Sequence, residues 1–112
     1  MKHPGLAFYI LDGRGNPVPE PNLVRWEKWF ACSENRTLKH DTVSRSVRVS
    51  TVFLGFDFNF SGKGPPLLWE TMIFGGRHDR TYQRYASRKE AVAGHVRAVD
   101  AGASAHPQGE SR

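Results

Sequence analysis

The run from Val47 to Phe60 constrains this chain more than any other stretch. Val47, Val49, Thr51 and Phe53 fall on one side of an extended backbone, and Val52, Leu54, Phe56, Phe58 and Phe60 on the other, because side chains alternate along a strand. Arg48 and Ser50 share that second side at its start. The strand therefore begins half exposed and becomes covered on both faces, as a central strand does. The run exceeds the usual strand length, which predicts a bend, and Gly55 marks the place for a bulge or a close approach.

A central strand needs neighbours, and the flanking segments supply them. Residues from Arg36 to Val43 alternate weakly and predict an outer strand with a charged open face, closed by a turn at Ser44 to Ser46. After a Gly/Pro loop at Ser61 to Pro66, Leu67 to Phe74 is a second apolar strand, ended by Gly75-Gly76. The basic stretch from Arg77 to Tyr85 has room for a further short strand. Before these, Leu6 to Leu11 reads as a short strand followed by Asp12-Gly-Arg-Gly-Asn-Pro17, whose glycines and Asx side chains reverse a chain. Consecutive strands with short connections favour an antiparallel meander.

Two helices complete the pattern. Asn22 is a candidate N-cap for a helix carrying Leu23, Trp26, Phe30 and Ser33 on one face, with Trp29 beside them, ending near Cys32 to Asn35. Its aromatic face predicts that it lies across the sheet. Ser87 and Glu90 have capping-box spacing and open a last helix whose predicted buried stripe is Val92, Val96 and Val99. The expected fold is α+β: a two-layer domain over residues 1–100, with an antiparallel meander of about four to five strands packed by two helices. Residues 101–112 are small and polar and predict a disordered C-terminal tail.

Composition narrows the class. With 112 residues and 38% hydrophobic side chains the chain is long enough for one modest core. Its single cysteine, Cys32, allows neither an internal disulfide nor a thiolate metal cage, and its place in an aromatic-rich helix predicts packing rather than reactivity. No h-region and no membrane-length apolar run occur. A cytoplasmic protein with no membrane partner is expected. Net charge is +5, which favours acidic partners only weakly without a stripe or motif.

Three side chains are candidates for chemistry. Asp57 and Asn59 share a strand side and together offer a carboxylate and an amide, although a strand end that caps the next loop explains them better. Glu70 shares a side with Leu68, Met72 and Phe74. A carboxylate there must be paired or functional, and pairing with Arg84 or Arg48 is the expected outcome. His95 lies on the flank of the last helix's stripe, where hydrogen bonding to the sheet is expected. Convergence of Asp57, Glu70 and His95 would give a hydrolytic or metal site, but their spacing does not require it. His40, His78 and His106 show no ligand spacing, and no Gly-x-Ser-x-Gly elbow occurs. Gly62-Lys63-Gly64 fails the P-loop spacing. No catalytic set, no metal and no cofactor is therefore assigned.

The most basic segment runs from Arg77 to Lys89, with five Arg or Lys against one acid. Arg77, Arg80, Arg84, Arg88 and Lys89 are interleaved with Tyr82 and Tyr85, and in a strand Arg80, Tyr82 and Arg84 share a face. Such a surface suits phosphate contact with base stacking. The competing explanation is a solvated edge strand whose charge discourages aggregation.

The stretch Val49 to Gly76, VSTVFLGFDFNFSGKGPPLLWETMIFGG, with Arg84-Tyr85 and the Ala91-Val-Ala-Gly-His95 helix, resembles a widespread family of small phage and prophage proteins. The similarity extends to YILDGRGNPVPEPNLVRWEKWF near the start. Position 58 is Phe where that family often carries His, so an Asp-His pair is not available here. The resemblance implies a phage or prophage accessory protein and names no chemistry. The function expected is binding to a host protein or complex, with inhibition of host defence among the modes that setting implies. Nucleic-acid binding through Arg77 to Lys89 is the first alternative, and a small hydrolase or metal-dependent enzyme the second.

Overall fold

The computed structural model describes residues 8–104. In chain order the elements are β1 (Tyr9–Leu11), β2 (Pro17–Pro19), α1 (Leu23–Ala31), α2 (Ser33–Arg36), β3 (Thr37–Ser44), β4 (Val47–Phe53), β5 (Trp69–Phe74), β6 (Tyr82–Tyr85) and α3 (Arg88–Ser104). β3, β4, β5 and β6 form an antiparallel meander in sequence order, and β1 with β2 forms a separate two-stranded sheet. The helices pack against the sheet, so the fold is α+β as expected.

The β1–β2 hairpin is closed by Asp12, whose Oδ1 accepts from the backbone N–H of Arg14 (2.8 Å) and Asn16 (2.9 Å), with Gly15 at φ 81. These bonds hold the Asp12 carboxyl below its ordinary value. The hairpin meets the chain beyond β4 through the Tyr9 N–H, which donates to the Gly55 carbonyl at 2.9 Å, and through the Trp26 indole N–H, which donates to the carbonyls of Tyr9 and Gly55, both at 3.0 Å.

β4 is central but ends at Phe53, earlier than the periodicity predicts. Gly55 takes φ +72, and a Cβ there would meet Phe30 at 2.9 Å. The chain turns at that close approach, and Phe56 then makes only an isolated bridge to Phe8. Burial along β4 and β5 alternates between buried and more exposed residues. One face of the sheet is thus sealed and the other is open.

α1 and α3 meet the sealed face. Its core has two parts. Phe53, Leu68, Trp69 and Ala91 are joined by Tyr9, Leu11, Trp29, Leu38 and Tyr85. Val47, Val49 and Ile73 are joined by Val43, Ala98, Val99 and Ala101. The Trp69 indole N–H is buried with no acceptor among the described residues, a polar cost of about 1–3 kcal/mol.

Both helices depart from the sequence pattern in which side they bury. In α1, Leu23 and Val24 are outward, 50% and 61% exposed, while Trp26, Trp29 and Phe30 turn inward. No α1 residue is fully buried, because the helix rests on the hairpin and the end of the sheet rather than across it. In α3 the valine stripe is displaced: Val92 and Val96 are 43% and 56% exposed. The buried line is Ala91, Gly94, His95 and Gly102. Val99 alone of the predicted stripe packs against the core. At Gly94 and Gly102 the helix lies too close to the sheet for a larger side chain, since a Cβ on Gly94 would fall on the Tyr85 hydroxyl and one on Gly102 would stand 3.1 Å from Val47.

Ser87 and Glu90 make the reciprocal capping box, with Glu90 N–H donating to Ser87 Oγ (3.1 Å) and Ser87 N–H donating to Glu90 Oε1 (3.2 Å). α3 continues to Ser104, so residues 101–104 belong to the folded domain. Val47 and Val43 hold Gly102 there. The remainder of the expected tail, and His106, lie outside the described residues. Cys32 is exposed rather than packed, because α1 ends one residue before it.

Candidate functional site

The sheet brings together residues that lie far apart in the chain. Directly opposed residues of neighbouring strands point to the same side. On the open face Arg48 stands opposite Phe74, Met72 opposite Tyr82, and Glu70 opposite both Val52 and Arg84. The Arg48 guanidinium lies 5.4 Å from the Phe74 ring. The Arg84 guanidinium lies 4.7 Å from the Tyr82 ring and 4.5 Å from the Phe58 ring.

The last contact extends the face into a longer series of planar groups. Phe58 meets Phe56 (5.4 Å), Phe56 meets Phe8 (5.5 Å), Phe8 meets Trp26 (4.6 Å), and Trp26 stacks on Phe30 (4.6 Å). Arg36 closes the far end over Phe30 at 4.3 Å. Phe60, 75% exposed, touches both Phe56 and Phe58. A continuous ladder of rings and guanidiniums thus runs from Tyr82 to Arg36. Half-buried rings with open edges, interrupted by cations, offer stacking surfaces and positive charge together.

Of the basic segment, only Tyr82 and Arg84 belong to this face. Arg77 and Arg80 occupy the turn between β5 and β6, where Arg80 adopts φ 69 and lies 3.7 Å from Asp79. Arg88 and Lys89 open α3 and belong to the helix layer. Tyr85 is a core residue, packed beside Trp69 and under Gly94. The stretch from Arg77 to Lys89 is therefore divided among a turn, two sheet faces and a helix, and Arg80 does not share the strand face with Tyr82 and Arg84.

The chemical candidates are also separated. Glu70 is paired with Arg84, Nε to Oε2 2.9 Å, on the open face. His95 is on the sealed face. Asp57 accepts from the backbone N–H of Asn59 (2.7 Å) and of Leu67 (3.1 Å). Asn59 in turn donates to the Lys63 and Pro65 carbonyls. Both organise the 61–66 loop. Among the described residues no group of three or more His, Cys, Asp or Glu side chains is placed to hold a metal ion.

His95 makes the expected hydrogen bonds to the sheet, and these belong to a polar relay whose members the sequence pattern did not reveal. Its Nε2 bonds Asp41 Oδ2 and its Nδ1 bonds Thr51 Oγ1, both at 2.7 Å, and Thr51 Oγ1 bonds Thr71 Oγ1 at 2.5 Å. A carboxylate only accepts, so Nε2 carries the proton toward Asp41. In the neutral ring Nδ1 then accepts from Thr51, whose oxygen accepts from Thr71. The bond from His95 is the main cause of an Asp41 carboxyl held below its ordinary value, with Lys39 contributing. The order Asp-His-Thr matches that of an activated nucleophile, but Thr51 is 0% and Thr71 3% exposed. A substrate has no access to either oxygen, so the relay is a structural tie between α3 and three strands. One signal pointed to it: Thr51 lies between Val49 and Phe53 on the strand side that is buried.

No family model, curated protein or solved structure matches this chain.

Proposed function

We propose that this chain works by binding, through the open face of its meander sheet, as a phage or prophage accessory protein that engages a host protein or complex. The observation that carries the reading is the sheet's asymmetry. A single-layered face bearing Arg48, Met72, Phe74, Tyr82 and Arg84 stands half exposed, although the other face of β4 and β5 is buried. Apolar and aromatic side chains kept at a surface together with arginines are the composition of interface anchors. The inaccessible Thr51 and the separation of Glu70 from His95 argue against an enzyme. The phage setting is supported by the sequence resemblance, and complexes that process nucleic acid are the first host targets to test. Affinity capture from host lysate, with wild type beside a triple Arg48→Gln, Phe60→Ser, Tyr82→Ser variant, tests the reading. A reproducible host component lost with the triple variant is expected. Equal capture by both proteins, or none by either, would count against it.

A further inference from the structure

We infer that what the open face contacts in a host complex that processes nucleic acid is the single-stranded nucleic acid itself, held against Tyr82, Arg84, Phe58 and Phe60; this deepens the binding reading and rests on that face being the working surface. Tyr82 and Phe60 are 55% and 75% exposed, and each has a planar neighbour already in contact: Arg84 for Tyr82, Phe58 for Phe60. Phe58 and Phe60 are tilted by 56° rather than stacked, so Tyr82 and Phe60 are separate exposed platforms, and an unpaired base stacks on an aromatic ring or a guanidinium plane.

Charge points the same way. Arg48 and Arg84 are the cations on the β4 to β6 part of the face, Glu70 is its carboxylate, and Arg84 already covers Glu70. The face therefore presents positive charge without an exposed acid to repel phosphate. Arg80, with a side chain 84% exposed, stands at the adjoining turn 3.7 Å from the half-exposed Asp79 carboxylate, which offsets part of its charge. Net charge of +5 adds long-range attraction for a polyanion.

Single strands fit better than duplex. The rings rise from a sheet surface rather than from a projecting helix or ribbon that enters a groove, and a ring face can stack only on an unpaired base. An acidic peptide would use the arginines and leave Tyr82, Phe58 and Phe60 without a role.

Fluorescence anisotropy of the full chain with fluorescein-labelled 12-mers, dT12 and rU12, and with a 12-base-pair DNA duplex tests the inference. The two single strands separate DNA from RNA as the source. At low salt, binding of at least one single strand well ahead of the duplex is expected, with a log–log salt slope of about −2, as about three phosphate contacts give. Tyr82→Ser and Phe60→Ser should each weaken binding about tenfold or more. Arg48→Gln should mainly flatten the salt slope. Both rings are surface residues, so unchanged melting temperatures are expected to show that the loss is not unfolding. Equal duplex binding, or ring variants that bind like wild type, overturns the inference. If no oligonucleotide binds while lysate capture still depends on Arg48, Phe60 and Tyr82, the ligand class is wrong and the face stands. If neither depends on them, both readings fall.

Discussion

Gly94 and Thr51 show how single atoms set the distance between helix and sheet. A methyl group on Gly94 would occupy the position of the Tyr85 hydroxyl, and Tyr85 is itself wedged into the core, so neither side can yield cheaply. Gly94→Ala should lower stability by about 1–3 kcal/mol, read as a reduced urea midpoint with an unchanged m-value. Thr51→Val preserves shape but removes the oxygen that joins His95 to Thr71. Two buried polar groups then lose a partner, and a loss of about 1–3 kcal/mol is expected by the same measurement. Arg80 runs the other way. Held at φ 69 on an exposed turn, it stores left-handed strain, so Arg80→Gly should stabilise the protein by about 1 kcal/mol. If Arg80→Gly instead destabilises, the side chain has a partner that outweighs the strain.

At the scale of elements, α3 is held at its start by a cap and at its middle by a charge-assisted bond. Ser87→Ala removes the oxygen that receives Glu90 N–H and should cost about 1 kcal/mol. The Asp41–His95 contact joins β3 to α3 and makes that junction sensitive to acid. Asp41 has a depressed carboxyl in the folded protein because His95 donates to it. A carboxyl depressed by folding stabilises the fold above its unfolded value of about 3.9 and loses that contribution as pH falls through the lower folded value. Asp41→Asn should therefore be destabilising near pH 6, with a difference from wild type that shrinks steadily below about pH 4. Asp12 is depressed in the same direction by its turn, but its contribution is common to both proteins and cancels. A difference that is constant from pH 6 to pH 2.5 would show that Asp41 acts through packing alone.

Elements also mark where the sequence was legible. The meander, the Asn22 cap, the Ser87–Glu90 box, the Glu70–Arg84 pair and the loop-capping role of Asp57 and Asn59 all rest on local rules, and all appear. The misjudged features depend on distances between elements. Valines are ordinarily the better core residues, yet of the predicted stripe only Val99 packs on the core, because α3 approaches the sheet so closely that glycine, alanine and one histidine take the places expected of Val92 and Val96. Residues from Arg77 to Lys89 form one basic run in sequence, but a four-residue strand sends Tyr85 and Arg84 to opposite sides. Nothing in one-dimensional spacing could show that Asp41, Thr51, Thr71 and His95 meet, because they come from four different elements.

Over the whole molecule, the asymmetry of the sheet is the central feature. One face is closed by α1 and α3, and its polar relay ties three strands to a helix. The other keeps rings and arginines at the surface, continuous with a ladder that reaches Arg36. The proposed binding role thereby separates stability and ligand contact onto opposite faces. Variants of Gly94, Thr51 or Asp41 should alter stability while leaving ligand contact intact, and variants of Tyr82, Phe60 or Arg48 should do the reverse. The most direct test is an amide chemical-shift map of the ¹⁵N-labelled protein titrated with dT12 or rU12. Perturbations concentrated at Arg48, Phe58, Phe60, Phe74, Tyr82 and Arg84 are predicted, with α3 silent. Perturbations centred on α3, or none at millimolar oligonucleotide, would contradict the proposal.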